Sequence, residues 1–243
     1  MTARAITRQA AEEVRMTLEQ GERLLLTFII PILGLVLFSE TTIVTTHTPS
    51  RVDFFAPSAL ALAVMSTAMV NLAVATGFER SWRVLKRLGA TPLSPGALLA
   101  AKAAAVLVVE VVQAAVLVGI AAGLGWRPHA GAGLAIGAIL LATVGFAGIG
   151  FLLAGTLRAE ATLAVANGLY VALLGISGIM FPLARLGGFA AFSRLLPATA
   201  LASVLHPALG TGAGVPAEAW VVLAAWAVGA PALAAWRFRF SGE

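Results

Sequence analysis

The residues Phe78–Pro95, which read FERSWRVLKRLGATPLSP, form a basic insert between two long apolar runs, and this alternation decides the fold. Arg80, Arg83, Lys86 and Arg87 are four of the sixteen Lys and Arg residues of the chain. Each flanking run is about as long as the ~20 residues that a helix needs to cross a membrane. We therefore expect the insert to be a loop at the membrane surface that joins two spans.

The composition of the whole chain is that of a membrane protein. Of its 243 residues, 60% are hydrophobic and only 11% are charged, with a mean hydropathy of +0.95, whereas a soluble domain carries about 25% charged residues. The formal net charge of +5 is better explained by Lys and Arg on the cytoplasmic side than by a nucleic-acid partner. The chain has no cysteine, which excludes a disulfide framework and a thiolate metal site.

The apolar runs predict an all-α membrane protein that forms a single domain with six transmembrane helices. Pro31 is expected to kink the first span, and Pro57 is expected to lie in the first turn of the second. Residues 182–218 contain two apolar pieces that are too short to span, so we expect short helices at the membrane face there, with a plain surface loop as the alternative. The predicted spans are 24–44, 57–77, 97–124, 132–157, 161–181 and 219–236.

Residues 1–23 are expected to form an amphipathic helix ahead of the first span. Ile6, Ala10, Val14 and Leu18 recur at every fourth position and form one apolar stripe. Such a helix suits the inner surface of a membrane, although an ordinary solvated terminal helix has the same pattern. The long polar segment before the first apolar run is unlike a secretory signal, so we expect that run to be a retained anchor.

The Lys and Arg residues are unevenly divided between the two sides that six spans define. With the N-terminus inside, twelve of them fall on the inner side and only Arg51, Arg127, Arg185 and Arg194 on the outer side. Because positive residues collect on the cytoplasmic side, we expect both termini and the basic insert to be cytoplasmic. Residues 182–218 would then be extracellular.

The insert has the pattern of a short amphipathic helix over residues 79–88. Its aromatic and aliphatic residues lie on one side of the helix and its Lys and Arg on another. Gly89 suits a left-handed helix end, and Thr91 is pushed out of helical geometry by Pro92. Two roles remain open for this helix: a charged loop that only fixes the topology, or a docking surface for a partner.

The longer stretch FERSWRVLKRLGATPLSPGALLAAK, residues 78–102, resembles the motif of the type-2 ATP-binding-cassette exporter permeases. In that family a Glu-Arg start and a basic helix are followed by Leu-x-Ala-Thr-Pro-Leu-Ser before the third span. The chain departs from the family pattern over residues 81–84, where the family often has a further charged residue and then Gly-Thr. The matching residues are Glu79, Arg80, Leu85, Lys86, Leu88, Ala90, Thr91, Pro92, Leu93, Ser94 and Lys102.

This resemblance implies the transmembrane subunit of an exporter that moves a hydrophobic or amphipathic substrate, such as a drug, lipid or glycoconjugate, out of the cytoplasm. The insert would be a coupling helix in a groove of a separate ATP-binding subunit, which would hold ATP and Mg. Two such subunits and two permease chains, as a homodimer or a paralogous heterodimer that meets through the first and fifth spans, would form the pump among the lipids of a bacterial plasma membrane. The residues implied in coupling are Glu79, Arg80, Arg83, Lys86, Arg87, Gly89, Thr91 and Pro92.

The sequence shows no motif for chemistry of its own. It contains no G-x-x-x-x-G-K-[ST] stretch, so the energy for transport must come from a partner or from an ion gradient. His47, His129 and His206 lack the spacing of metal ligands, so no metal site is expected. No arrangement of nucleophile, base and acid can be placed at one membrane depth, so we expect no catalytic residue and no enzyme activity.

Polar residues inside the spans are candidates for a translocation path, because they are costly in lipid. Glu110 could contact a cationic substrate, carry a proton, face an aqueous inner cavity or hold two helices together, and Lys102 on about the same face could extend to the membrane surface. An ion-coupled secondary transporter or a membrane assembly factor is therefore the alternative function. The candidates are Asn71, Glu110, Gln113, Asn167 and Tyr170, for which hydrogen bonds between helices are the other possible use.

Overall fold

The computed structural model describes residues 21–41, 50–82, 95–181 and 183–237. Every regular element in these ranges is a helix, and five or six of the helical segments are long and apolar enough to cross a membrane. The prediction of an all-α membrane protein is therefore confirmed. The expected N-terminal helix and residues 83–94 of the basic insert lie outside the described residues.

Eight α-helices follow one another in the described ranges. Five of them, α2, α3, α4, α5 and α8, each meet the length and hydropathy of a membrane span, whereas the apolar part of α1, Thr27–Glu40, is shorter. The helices are α1 (Gly21–Glu40), α2 (Arg51–Ser81), α3 (Pro95–Gly123), α4 (Ala132–Thr156), α5 (Ala159–Ile176), α6 (Ala190–Ser193), α7 (Pro197–Leu205) and α8 (Ala217–Arg237).

The described helices give the bundle two ends. We call the end where α2 stops and α3 starts the insert end, because the basic insert joins them there; α4 also stops and α5 starts at this end. At the opposite end, the 3₁₀ segment Leu183–Phe189 leads into α6, and α7 continues as the π-helical segment His206–Thr211. The chain bends by 109° between Arg185–Ser193 and Pro197–Thr211. This region therefore contains short helices rather than a plain surface loop.

Helix α2 is longer than the predicted span 57–77, and Pro57 lies in its interior instead of its first turn. An interior proline offers no N–H to the carbonyl four residues earlier, which here belongs to Asp53. Gly210 packs so closely on the Asp53 carbonyl that a Cβ at this position would collide with its oxygen. In the middle of α2, residues Ser66–Asn71 adopt a π-helical turn, a feature often found at functional sites.

Glycines set the ends of two helices. After α3, Gly125 has a φ of +88°, and the N–H groups of Gly125 and Trp126 donate to the carbonyls of Ala122 and Ala121 at 3.0 and 2.9 Å. This is the Schellman arrangement, which satisfies carbonyls that a helix end leaves free. Helix α5 ends at Ile176 rather than at the predicted Phe181, because Gly178 adopts a φ of +78°.

Helix α4 lies at the centre of the bundle and uses glycines on two faces. Toward α8, a Cβ at Gly148 would collide with the backbone of Ala230 and Pro231. Toward α2, a Cβ at Gly150 would stand 2.9 Å from the Met69 carbonyl oxygen in the π-helical turn. Small residues let helices approach closely in membranes, and α4 thereby packs against both α2 and α8.

Candidate functional site

Glu79 and Arg80, two of the predicted coupling residues, lie in the last turn of α2 at the insert end. The sequence pattern puts them at the start of a separate helix, but α2 continues through them to Ser81. The rings of Phe78 and Trp82, four residues apart, lie 5.6 Å from each other, and such pairs support a helical turn. The other coupling candidates lie outside the described residues and stay predictions; they are Arg83, Lys86, Arg87, Gly89, Thr91 and Pro92.

Glu79 forms an ion pair with Lys102 of α3 across the base of the insert. The Nζ atom of Lys102 lies 2.9 Å from Oε1 and 2.7 Å from Oε2 of Glu79. The Lys102 side chain is only 3% exposed, so it does not extend to the membrane surface as the sequence suggested. Because a buried ammonium group is costly without an opposite charge, the pair fixes α2 and α3 relative to each other.

Arg80 connects the same turn of α2 to the end of α4. Its Nη1 atom donates to the Ala154 carbonyl oxygen at 2.7 Å. Ala154 belongs to the last turn of α4, where carbonyls have no partner within the helix and a positive charge is favoured. Two adjacent residues at the start of the insert thus bind two different helices, α3 through Glu79 and α4 through Arg80.

A second polar cluster joins α1, α2 and α3 in the middle of the bundle. The Asn71 amide donates to the Thr27 hydroxyl at 2.8 Å, and the Thr67 hydroxyl donates to the Gln113 carbonyl oxygen at 2.7 Å. The Gln113 amide lies 3.4 Å from the Thr27 carbonyl, which lacks a helical donor because Pro31 stands four residues later. Asn71 and Gln113 therefore connect helices, one of the two uses that the sequence left open.

Glu110 lies apart from this cluster and binds α4. The side chain is 5% exposed, and its Oε2 atom lies 2.6 Å from the Thr143 hydroxyl, which is also 2.9 Å from the Ile139 carbonyl oxygen. One hydroxyl hydrogen cannot serve both acceptors well. A protonated Glu110 would donate to Thr143 and leave the Thr143 hydrogen for Ile139, so the geometry favours a neutral carboxyl that holds α3 to α4.

The two candidates in α5 occupy different environments. The Asn167 amide donates to the Leu163 carbonyl of its own helix at 2.8 Å, and Asn167 is exposed. Tyr170 is 8% exposed and lines a cavity of about 220 Å³ between α1, α2 and α5. The five path candidates therefore do not form one polar channel within the described part of a single chain.

The structure also forms a polar contact that the sequence did not indicate. Ser58 of α2 lies 2.9 Å from His206 Nε2, and its hydroxyl also approaches the Ile179 carbonyl at 2.7 Å. The His206 ring packs on Phe54 with 4.4 Å between centroids. His206 is thus part of the packing between α2 and the π-helical segment after α7, rather than a loop residue.

Several residues of these contacts were missed because a Ser or Thr in an apolar run carries little signal of its own. Thr27 is the exception, since its position four residues before Pro31 marks a carbonyl in need of a donor. Thr67, Thr143 and Ser58 could not be recognised, because their partners come from distant parts of the sequence.

Comparison with known proteins adds one finding to this geometry. A family model described as ABC-2 type transporter matches residues 10–208, which is most of the chain. No curated protein matches the sequence. The matched range includes the basic insert, the ion pair of Glu79 with Lys102, the polar cluster of α1, α2 and α3, and the contact of Glu110 with Thr143.

Proposed function

The chain belongs to the ABC-2 type transporter family as its transmembrane component, and from that premise we propose that it exports a hydrophobic or amphipathic substrate by using ATP hydrolysed in a separate subunit. The family implies partnership with an ATP-binding subunit. We propose further that two copies of that subunit, each holding ATP and Mg, act on two permease chains in a bacterial plasma membrane, with the basic insert on the cytoplasmic side.

The observation that carries this proposal is the way the insert is attached. At its start, Glu79 binds Lys102 of α3 and Arg80 binds the end of α4. A force on the insert would therefore reach three helices at once, α2, α3 and α4. A loop that only fixed topology would need its positive charges, but not these connections.

The substrate class is supported by the character of the bundle. Many large aliphatic and aromatic side chains are exposed on its helices, among them Val111, Val171 and Trp236. The cavity between α1, α2 and α5 is lined by apolar residues except for Ser58 and Tyr170. A substrate with much apolar surface fits such walls, because each buried methylene contributes about 0.8 kcal/mol.

The role of the insert can be tested with the double variant Lys86→Glu/Arg87→Glu in the complete transporter. If the insert docks on the ATP-binding subunit, reversed charges should weaken docking and lower both export and substrate-stimulated ATP hydrolysis by about tenfold or more. The loss of one partner of a buried charge pair at an interface costs roughly 2–5 kcal/mol. Export from vesicles, ATPase rate and the mass of the purified complex would be measured.

The matched control is Arg127→Glu/Arg185→Glu, which changes the net charge equally at the opposite end of the bundle, where both residues are exposed. The control should export normally. The coupling role is wrong if the Lys86/Arg87 variant inserts, binds the ATP-binding subunit and exports like the wild type. Export that continues after ATP depletion but depends on membrane potential would instead support an ion-coupled transporter.

A further inference from the structure

Helices α4 and α8 are joined by close backbone contacts that resist sliding. A Cβ at Gly148 would collide with the Pro231 nitrogen, and a Cβ at Gly145 would lie 3.3 Å from the Trp226 Cβ. Glycines permit such an approach between membrane helices. A shift or rotation of either helix would bring its larger side chains against the backbone of the other, and packed interiors have few voids to receive them. The pair therefore keeps its relative position.

Helix α5 is attached to this pair at the insert end. Only Leu157 and Arg158 separate the end of α4 from the start of α5. The backbone N–H and the hydroxyl of Thr162 donate to the Arg158 carbonyl at 2.8 and 3.0 Å. The same hydroxyl lies 3.4 Å from the Leu153 carbonyl of α4. Because this connection is so short, the start of α5 must follow the end of α4. We call α4, α5 and α8 the C-terminal group.

Helices α1, α2 and α3, which we call the N-terminal group, are held together by polar side chains. Three contacts connect α2 to its two neighbours, one to α1 and two to α3. They are Asn71 with Thr27, Thr67 with Gln113, and Glu79 with Lys102. In the apolar part of a membrane, a polar group that loses its partner finds no water to replace it. These contacts therefore favour a group that moves together.

The contact between the two groups at the insert end is apolar where α2 meets α5. A Cβ at Gly77 of α2 would lie 3.4 Å from the Thr162 Cβ, which is an ordinary van der Waals contact. The neighbouring Thr76 hydroxyl is buried and has no partner among the described residues. Arg80 does cross from α2 to the Ala154 carbonyl of α4, but its long side chain can follow a movement of the helix.

Other contacts between the groups lie away from the insert end. In the middle of the bundle, Glu110 of α3 binds Thr143 of α4. Gly150 of α4 packs closely on the Met69 carbonyl in the π-helical turn of α2. Nearer the opposite end, the Ser58 hydroxyl of α2 binds connecting segments that follow α5 and α7. The groups are therefore joined near their middle, and the contact of Gly77 with Thr162 is the one that separates most easily.

We propose that the N-terminal and C-terminal groups move against each other about their central contacts, and that α2 and α5 part at Gly77 and Thr162 in each transport cycle. The basic insert joins α2 to α3, so it belongs to the N-terminal group. A movement of the ATP-binding subunit that pulls the insert would shift this group and open the contact. The division into two groups follows from the packing, whereas its use in transport rests on the proposed function.

Two matched disulfides test this division, since the chain contains no cysteine. Gly77→Cys/Thr162→Cys joins the two groups, and Gly145→Cys/Trp226→Cys lies within the C-terminal group. The Cβ separations of 3.4 and 3.3 Å are both just below the ~3.5–4.5 Å of disulfides. Oxidation of the first pair should lower export and substrate-stimulated ATP hydrolysis at least about tenfold, because it blocks a conformational step of the cycle, and reduction should restore both.

The second pair is the control, and its oxidation should leave export and ATP hydrolysis unchanged. Each variant is compared with its own reduced form, so any effect of the substitutions on stability cancels. The inference is overturned if the oxidised Gly77/Thr162 variant exports like its reduced form. It is also overturned if oxidation of the Gly145/Trp226 variant stops export. A wild-type transporter that does not use ATP for export would contradict the proposed function instead.

A second measurement does not depend on disulfides. Spin labels at Ser81 and Thr156, which are exposed at the insert end, report the distance between the two groups. Labels at Leu134 and Val221, which are exposed on α4 and α8, report a distance within the C-terminal group. In the complete transporter, a non-hydrolysable ATP analogue should shift the first distance and leave the second unchanged. A shift of the second distance, or no shift of the first in a transporter that exports, would overturn the inference.

Discussion

The contact between Glu110 and Thr143 shows how hydrogen-bond geometry constrains the state of one residue. Glu110 is buried between α3 and α4, and its hydroxyl partner already has a carbonyl acceptor in Ile139. A charged carboxylate in this place would be costly in a membrane. A neutral one gives each hydrogen an acceptor and acts as a structural connection between the helices.

This interpretation predicts a difference between two substitutions. Glu110→Gln keeps a donor and an acceptor, so the melting temperature in detergent and the export rate should stay near those of the wild type. Glu110→Ala removes the contact and should destabilise the bundle by about 0.6–1.7 kcal/mol, the range for hydrogen bonds between membrane helices, plus a cavity cost. If Glu110→Gln abolished transport while the protein stayed folded, an ionisable carboxyl would be required and the ion-coupled alternative would gain support.

For single residues, the sequence identified the important polar side chains better than it identified their hydrogen-bond and ion-pair partners. Glu79 and Lys102 both belong to the recognised motif, but their ion pair spans 23 positions and joins two helices on either side of the insert. Glu110 and Gln113 were selected because polar groups in spans are costly, whereas Thr143 and Thr67, which satisfy them, look like ordinary span residues. A single sequence carries no information on which distant hydroxyl faces a given carboxyl or amide.

Among the elements, α4 depends most on residues without side chains. Gly148→Val should place a branched side chain against the backbone of Ala230 and Pro231, and separation of α4 from α8 should cost about 1–3 kcal/mol or more. Gly133→Val is the control, because nothing lies within 4 Å of a Cβ at that position of the same helix. Thermal unfolding in detergent would compare them, and equal melting temperatures would contradict the close packing.

The existence of the helices was predictable because apolar runs of about 20 residues have few other solutions in a membrane. Their ends were less so. Pro57 suggested a helix start, yet α2 begins at Arg51. Gly210, which is distant in the sequence, packs closely on the Asp53 carbonyl that the proline leaves without a helical donor. Helix α5 ends two residues before Gly178, which adopts a left-handed conformation. A glycine at such a place is a sequence signal for a helix end, and hydropathy alone does not use it.

For the whole molecule, the predicted orientation in the membrane can be tested by labelling single cysteines. The chain contains no cysteine, so single cysteines can be placed without removing others. A membrane-impermeant maleimide added to intact cells should label Gly214→Cys at the opposite end and should not label Ser81→Cys at the insert end or Ser241→Cys near the C-terminus. Both Gly214 and Ser81 are exposed; the reverse labelling pattern would contradict cytoplasmic termini.

The length of α2 has a mechanical consequence for the molecule. Its 31 residues extend about 46 Å at 1.5 Å per residue, which exceeds the ~30 Å hydrocarbon layer, so this rod must tilt or protrude. Near its midpoint Asn71 and Thr67 tie it to α1 and α3, and these ties mark a natural fulcrum. A tilt of the rod about that point moves Ser81 and Ser58 in opposite directions, so α2 has the geometry of a lever between the basic insert and the far wall of the cavity.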